Sequence, residues 1–117
     1  MSTLKVNTIQ NTSGVEVYTA KAWVNFNGTG TVAIRAAGNV SSITDNGTGD
    51  YTVNFTNAMP DANYAALVSA SNQSSAYPIT RLYDYTTVLA ASCRFQPQRD
   101  TSGVNIDTPY VSVAVFR

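Results

Sequence analysis

The chain has 117 residues, the size of a single domain, and its seven Lys or Arg residues balance seven Asp or Glu residues. Only 12% of the residues are charged and the basic ones are scattered, which argues against a nucleic-acid binder. The N-terminal MSTLKVNTIQ lacks the apolar stretch of a signal peptide, and no run has transmembrane length. We therefore expect a protein made in a cytoplasm, without a membrane partner.

Residues 1–19 are predicted to form a short N-terminal β-arm. LKVNTIQ (4–10) and VEVY (15–18) have the patterns of strands, and NTSG (11–14) has the composition of a turn. Two strands this short are not stable alone in water. We expect the main domain, another copy or a docking partner to cover their apolar side chains, which are Leu4, Val6, Ile9, Val15 and Val17.

Residues 20–117 are predicted to form an all-β domain, an antiparallel β-sandwich of about eight strands. Apolar and polar residues alternate in short runs that turn residues interrupt about every ten positions. The most distinct turn is DNGTGD (45–50), which has the composition of a tight hairpin. The predicted strands are 20–26, 31–35, 40–44, 51–55, 64–71, 78–83, 85–95 and 110–116.

Alternation also predicts which side chains face the core. In the second strand of this domain Val32 and Ile34 are expected to point inward, and AAGN (36–39) is expected to end the run. Residues 85–95 are expected to place Leu89 on the same face as Cys93 and Phe95, and 96–109 to be the longest loop. Other sets expected on a common face are Ala22, Val24 and Phe26; Tyr51, Val53 and Phe55; and Val111, Val113 and Val115.

Some strands are apolar on both faces, although one sandwich of this size has one interior. Trp23 lies opposite the inward side of its strand, and the last strand has Tyr110, Ala114 and Phe116 opposite its valines. A surplus apolar face indicates a contact between subunits. We therefore expect a homo-oligomer, with a trimer as the specific prediction.

The residue inventory argues against catalysis and metal binding, and no cofactor is expected. Without histidine, neither a Ser-His-Asp nor a Cys-His arrangement can form, and one cysteine cannot build a zinc site. Cys93 is interpreted as a small core residue. DNGTGD lacks the distal glutamate of a calcium-binding loop, which favours the hairpin. The candidate carboxylates for glycoside cleavage all lie in or beside predicted turns or loops: Glu16, Asp61, Asp84, Asp100 and Asp107.

One cluster combines aromatic and charged side chains. Tyrosine offers a face for stacking on a sugar and a hydroxyl for hydrogen bonding, so the cluster is a candidate receptor contact. Tyrosine also favours strands, and this simpler explanation is preferred. The cluster comprises Tyr77, Arg81, Tyr83, Asp84 and Tyr85.

STLKVNTIQNTSG (2–14) resembles the N-terminal module of fibre and other virion proteins of tailed bacteriophages, especially those that infect cyanobacteria. Residues 20–66 resemble the domain that often follows it, and YVSVAVFR (110–117) resembles that domain's final strand. Residues 71–109 match no pattern of this family. The resemblance implies a non-enzymatic, trimeric virion subunit. Longer relatives have a spacer after the arm, so the near contiguity here implies a short knob or spike.

Three functions follow as hypotheses. The first is a trimeric fibre or spike subunit, with residues 1–19 for attachment and 20–117 projecting, made in the host cytoplasm and located in the virion. The second is a capsid decoration protein that uses the same arm on the head. The third is a glycan-binding module that recognises a host surface polysaccharide. The expected partners are other copies of the chain, tail or capsid proteins and a host glycan.

Overall fold

The computed structural model describes residues 2–71, 78–82, 87–99 and 102–117. These residues form an antiparallel β-sandwich, which confirms the predicted fold class. Within the described ranges, no helix is long and apolar enough to cross a bilayer. The strands are β1 (Ala22–Asn27), β2 (Ala33–Gly38), β3 (Val40–Gly47), β4 (Asp50–Phe55), β5 (Ala65–Ala70), β6 (Pro78–Leu82), β7 (Val88–Leu89), β8 (Ser92–Arg99) and β9 (Val111–Phe116).

Two antiparallel sheets pack face to face. The first sheet has the order β2-β1-β9-β5. The second has the order β3-β4-β8-β6, and the two-residue strand β7 also pairs with β8. Since β1 and β9 are the central strands of the first sheet, the beginning and the end of the sandwich domain lie side by side.

The core is formed by the inward faces of the central strands. Alternate residues of β1, of β9 and of β4 from Tyr51 onward are buried and their neighbours are not, as the alternation predicts. Three rings meet in the centre: the centroid of Phe26 lies 5.2 Å from that of Tyr51, edge to face, and 6.2 Å from that of Phe95. Aromatic pairs in this arrangement add to the stability gained from burial alone.

Asn39 lies where the chain crosses from the first sheet to the second. It has a φ of 54°, a left-handed conformation that asparagine tolerates better than most residues. Its side-chain amide donates to the carbonyls of Lys21 (2.9 Å) and Asn57 (3.1 Å) and accepts from the Asn57 amide (2.8 Å). One side chain therefore ties the start of β1 and the segment after β4 to the crossing.

The second strand differs from the prediction in both position and orientation. β2 continues through Ala36 and Ala37 to Gly38, so AAGN does not end the run. Ile34 is 39% exposed instead of pointing inward, whereas Val32 packs partly against the core. β2 is the edge of its sheet, and its residues from 33 to 37 are all exposed. Alternation alone does not distinguish such an edge from a half-buried strand.

The predicted strand 85–95 is wrong, because a turn at residues 90–91 divides it into β7 and β8. Leu89 is 50% exposed instead of sharing the buried face of Cys93. Two backbone hydrogen bonds stabilise the turn: the Met59 amide donates to the Ala90 carbonyl (2.7 Å), and the Phe55 amide donates to the Ala91 carbonyl (3.0 Å). β8 then runs to Arg99, through the first part of the predicted loop 96–109.

Candidate interaction surfaces

The arm forms a narrow hairpin and not the two strands predicted at 4–10 and 15–18. The Asn11 side-chain oxygen accepts from the amides of Ser13 (2.9 Å) and Val15 (3.0 Å), and Gly14 adopts a φ of +78° in the turn. A single bridge joins Gln10 to Glu16. The arm has the turn that its sequence encodes, but regular strands need a neighbouring sheet on which to extend.

Large apolar side chains of the arm are exposed along its whole length. Leu4 is 87% exposed, and Tyr18, which was not among the predicted interface residues, is 77% exposed. Soluble single chains rarely leave contiguous apolar surface of this kind uncovered unless it serves as an interaction site. The other large apolar side chains of the arm are 43 to 59% exposed: Val6, Ile9, Val15 and Val17.

A groove of about 490 Å³ separates the arm from the end of the sandwich, and we call it the arm groove. Its apolar lining includes Val6, Ile9 and Val17 on the arm side and Phe116 on the domain side. The groove is therefore apolar in part, and its charged lining residues are Glu16, Lys21 and Arg117. It lies beside the exposed side chains of the arm.

The outer face of the first sheet is apolar at the end nearest the arm. Backbone pairing aligns Gly38, Trp23, Ala114 and Leu67 in one row across the four strands. Trp23 is 44% exposed and Leu67 is 57% exposed. A shallow groove of about 500 Å³ runs between them, which we call the sheet groove.

Trp23 is kept in this position by the absence of a side chain at Gly38. A Cβ atom on Gly38 would overlap Nε1 of the Trp23 indole, so the ring rests directly on the backbone of β2. The indole of Trp23 therefore extends over β2.

Polar residues divide this outer face in the middle. The Asn25 amide donates to the Ser112 hydroxyl (3.0 Å) in the next row. Beyond it, the Arg35 guanidinium lies 4.0 Å from the centre of the Tyr110 ring and donates to the Pro109 carbonyl (2.6 Å). The predicted interface residues Trp23, Phe116 and Tyr110 thus share one face of the sheet. The first two lie at the arm end and Tyr110 lies at the other end.

The outer face of the second sheet has the opposite character. The Asn54 amide donates to the hydroxyls of Ser42 (3.1 Å) and Thr44 (2.9 Å), and Asn46 donates to that of Thr52 (2.9 Å). These short polar side chains satisfy one another in exposed positions. Among the surfaces described here, the apolar ones lie on the arm and on the first sheet.

A buried polar cluster lies at the start of β4, and the sequence did not indicate it. Asp50 is 8% exposed and accepts from Arg94 at both oxygens, each at 2.7 Å, and from Gln96 at 3.0 Å. The Arg94 guanidinium holds the pKa of Asp50 below its usual range. Asp50 therefore remains charged at neutral pH and anchors the hairpin, which makes it unsuitable as a proton donor.

Cys93 is a core residue, as predicted, and two of the described candidate acids, Asp61 and Asp107, have structural roles. Cys93 is fully buried, and burial raises the pKa of its thiol to about 11, so the unreactive form predominates. Asp61 pairs with Arg117, and Asp107 accepts from Gly49. Among the described residues, no three His, Cys, Asp or Glu side chains lie close enough to hold a metal ion.

Most of the predicted receptor cluster lies outside the described residues. This applies to Tyr77, Tyr83, Asp84 and Tyr85, and also to the candidate acid Asp100. Arg81 lies in β6, where its backbone pairs with Gln96. The glycan-binding role of this cluster stays a prediction.

Comparison of the chain with models of known families, with curated proteins and with solved structures finds no match. The function is therefore inferred from the resemblance of residues 2–14 and 20–66 and from the exposed apolar surfaces.

Proposed function

We propose that this chain is a non-enzymatic structural subunit of a tailed-phage virion, a short fibre or spike. Residues 1–19 attach it and residues 20–117 project from the attachment point. The proposal rests on one observation about the arm. The segment that resembles a virion module also exposes most of its large apolar side chains.

Burial of the arm would supply substantial binding free energy. Fully burying a large apolar side chain contributes about 1.5–3 kcal/mol, so the six arm side chains, which are 43 to 87% exposed, offer roughly 5–11 kcal/mol before the cost of ordering. An arm that remained in water would gain none of this. The arm therefore fits a docking element better than it fits a linker.

Self-association as a homotrimer is the second part of the proposal. The apolar end of the first sheet's outer face provides a surface for it, since covering Trp23 and Leu67 removes apolar area from water. Closed point-group symmetry is the usual arrangement for such contacts.

Virion incorporation tests the attachment role. Phage would be propagated on host cells that supply either wild-type chain or a variant with two other exposed arm positions changed, Val15→Ser/Tyr18→Ser, and the chain in purified virions would be quantified by mass spectrometry. We expect at least a tenfold loss of the variant from virions with its melting temperature unchanged. Leu89→Ser is the matched control, because Leu89 is a 50% exposed leucine outside the arm. Incorporation of the arm variant at wild-type level would refute the role.

The capsid decoration hypothesis uses the same arm at another location. The short connection between the arm and β1, which starts at Ala22, favours a compact protein close to its attachment surface. Gold labelling of a tagged chain on intact virions distinguishes head from tail. A glycan array on the purified chain tests the separate proposal that it recognises a host polysaccharide.

A further inference from the structure

We infer that the sheet groove is the docking site for the arm of a second copy of this chain, with Leu4 and Val6 filling the space between Trp23 and Leu67. The inference rests on the self-association proposed above. It adds a specific pairing, in which each arm is exchanged with a neighbouring subunit.

The arm groove and the sheet groove adjoin each other. Phe116 lines the arm groove and Ala114 lines the sheet groove, and these two residues lie two positions apart on the outward side of β9. Lys21, which directly precedes β1, and Trp23 in β1 are likewise two positions apart, and they line the arm groove and the sheet groove respectively. The exposed arm and the apolar end of the sheet therefore form one continuous surface, so a neighbour that covers one of them also reaches the other.

The sheet groove and the arm segment with Leu4 and Val6 are chemically complementary. No charged side chain lines the sheet groove, and its volume of about 500 Å³ accommodates two aliphatic side chains. In an extended segment Leu4 and Val6 project from the same face, roughly 7 Å apart. Lys5, between them, points the opposite way and stays in water. Within its own subunit Leu4 is 87% exposed, so that subunit does not use it to fill the groove.

The available area also favours an interface that uses the two surfaces together. If every large side chain is given the roughly 150–250 Å² of a fully exposed aromatic one, Trp23, Leu67 and Phe116 together expose at most roughly 200–350 Å². A stable interface needs roughly 800 Å² per partner, which these three side chains do not provide. On the same basis the exposed arm side chains present roughly 550–900 Å². An interface that buries part of both surfaces therefore comes closer to the required size than one that buries the sheet face alone.

Intermolecular disulfide trapping tests the pairing in the full chain. A tagged Leu4→Cys chain would be co-expressed with an untagged Leu67→Cys chain, and mild oxidation would be followed by a non-reducing gel. The tag separates the mixed dimer from either homodimer by mass. Leu4→Cys with Leu89→Cys is the control, since Leu89 is a leucine on the second sheet that is 50% exposed, close to the 57% of Leu67. The native Cys93 is fully buried and does not interfere.

We expect the mixed dimer of positions 4 and 67 at a yield at least tenfold above the control. A yield equal to the control would overturn the inference. Trp23 provides a second measurement, because it is the one tryptophan of the chain. Its emission should shift to shorter wavelength on association in the wild type and remain unshifted in Leu4→Asp/Val6→Asp. An unshifted wild-type spectrum in a proven oligomer would also overturn it.

The two proposals fail in different ways. A chain that cross-links as expected but is missing from virions contradicts the virion role and leaves the arm exchange intact. A chain that is incorporated into virions but shows no cross-link above the control contradicts the arm exchange alone.

Discussion

Two Arg–Asp pairs in this chain have nearly the same geometry, and we predict that one of them stabilises the fold far more than the other. Arg94 binds Asp50 through two bonds of 2.7 Å, and Arg117 binds Asp61 through bonds of 3.0 and 2.8 Å. The pairs differ in burial: the side-chain atoms of Asp50 are 11% exposed, whereas those of Asp61 are 39% exposed. The comparison therefore tests how much burial adds to the contribution of an Arg–Asp pair.

Asp50→Ala is the informative substitution. It removes a bidentate charge-assisted contact and leaves Arg94 and Gln96 without this acceptor. Breaking a fully buried pair costs about 3–5 kcal/mol, but Arg94 is 30% exposed and partly rehydrates. We therefore expect a loss of about 2–3 kcal/mol in the free energy of unfolding. For a domain of this size that corresponds to a melting temperature about 8–12 °C lower.

The charge of Asp50 is expected to stabilise the fold at neutral pH and to stop doing so in acid. Arg94 holds the pKa of Asp50 in the folded state below its ordinary value of 3.8, so the unfolded state binds more protons in acid. The stabilisation is complete well above pH 3.8 and is lost as the pH falls through the folded pKa. The difference in melting temperature between wild type and Asp50→Ala should accordingly be constant near neutrality and shrink below pH 3.8.

Calorimetry on Asp50→Ala and on the control Asp61→Ala, from pH 7 to the acid limit of folding, tests this reasoning. Asp61→Ala should lower the melting temperature much less, because solvent and salt screen an exposed pair. Equal losses in the two variants would show that burial does not set the contribution of the pair. An Asp50→Ala effect that stayed the same down to the lowest pH would refute the role of the Asp50 charge.

Three further outcomes are expected. Tyr51→Phe should lower the free energy of unfolding by about 1–3 kcal/mol in urea titrations, because the Tyr51 hydroxyl lies 2.7 Å from the Gly28 carbonyl and from Asp107. Cys93 should react with a thiol reagent at least a hundredfold faster in urea than in the native state, and comparable rates would contradict its burial. Gly38→Ala should displace the Trp23 indole and change its fluorescence emission, whereas an identical spectrum would show that the ring does not rest on Gly38.

The sequence predicted the side-chain orientation correctly in strands that have one face against the core. In β4, Tyr51 and Val53 alternate with Thr52, and in β9 the valines alternate with Ser112 and Ala114, and both strands are central in their sheets. A period of two specifies orientation there because only one face can be buried. Edge strand β2 has no such constraint, which is why the predicted orientation of Ile34 was wrong.

The remaining features depend on contacts distant in sequence. Asp50 and Arg94 are 44 positions apart, and their pairing requires the register of β4 against β8. The row that aligns Trp23 with Leu67 likewise needs β9 between β1 and β5. For the arm, the alternation of Leu4 and Val6 predicts that another surface buries these side chains, but it does not identify that surface. Local sequence patterns predict which side chains are buried, whereas the residues that contact them follow only from the topology.

The outer faces of the two sheets indicate how copies of this chain would be oriented in an assembly. Covering the second sheet would remove water from side chains such as Asn54 and Asn46. Their amide groups already donate to neighbouring hydroxyls, so their side-chain oxygens would lose water as a hydrogen-bond partner. Covering the arm end of the first sheet removes water from Trp23 and Leu67, which gain free energy from it. In a symmetric trimer we therefore expect the first sheets to face one another and the second sheets to face solvent. Positions on the second sheet, including Thr52, should then accept charged substitutions without loss of assembly, whereas Leu67→Asp should yield monomers in sedimentation equilibrium.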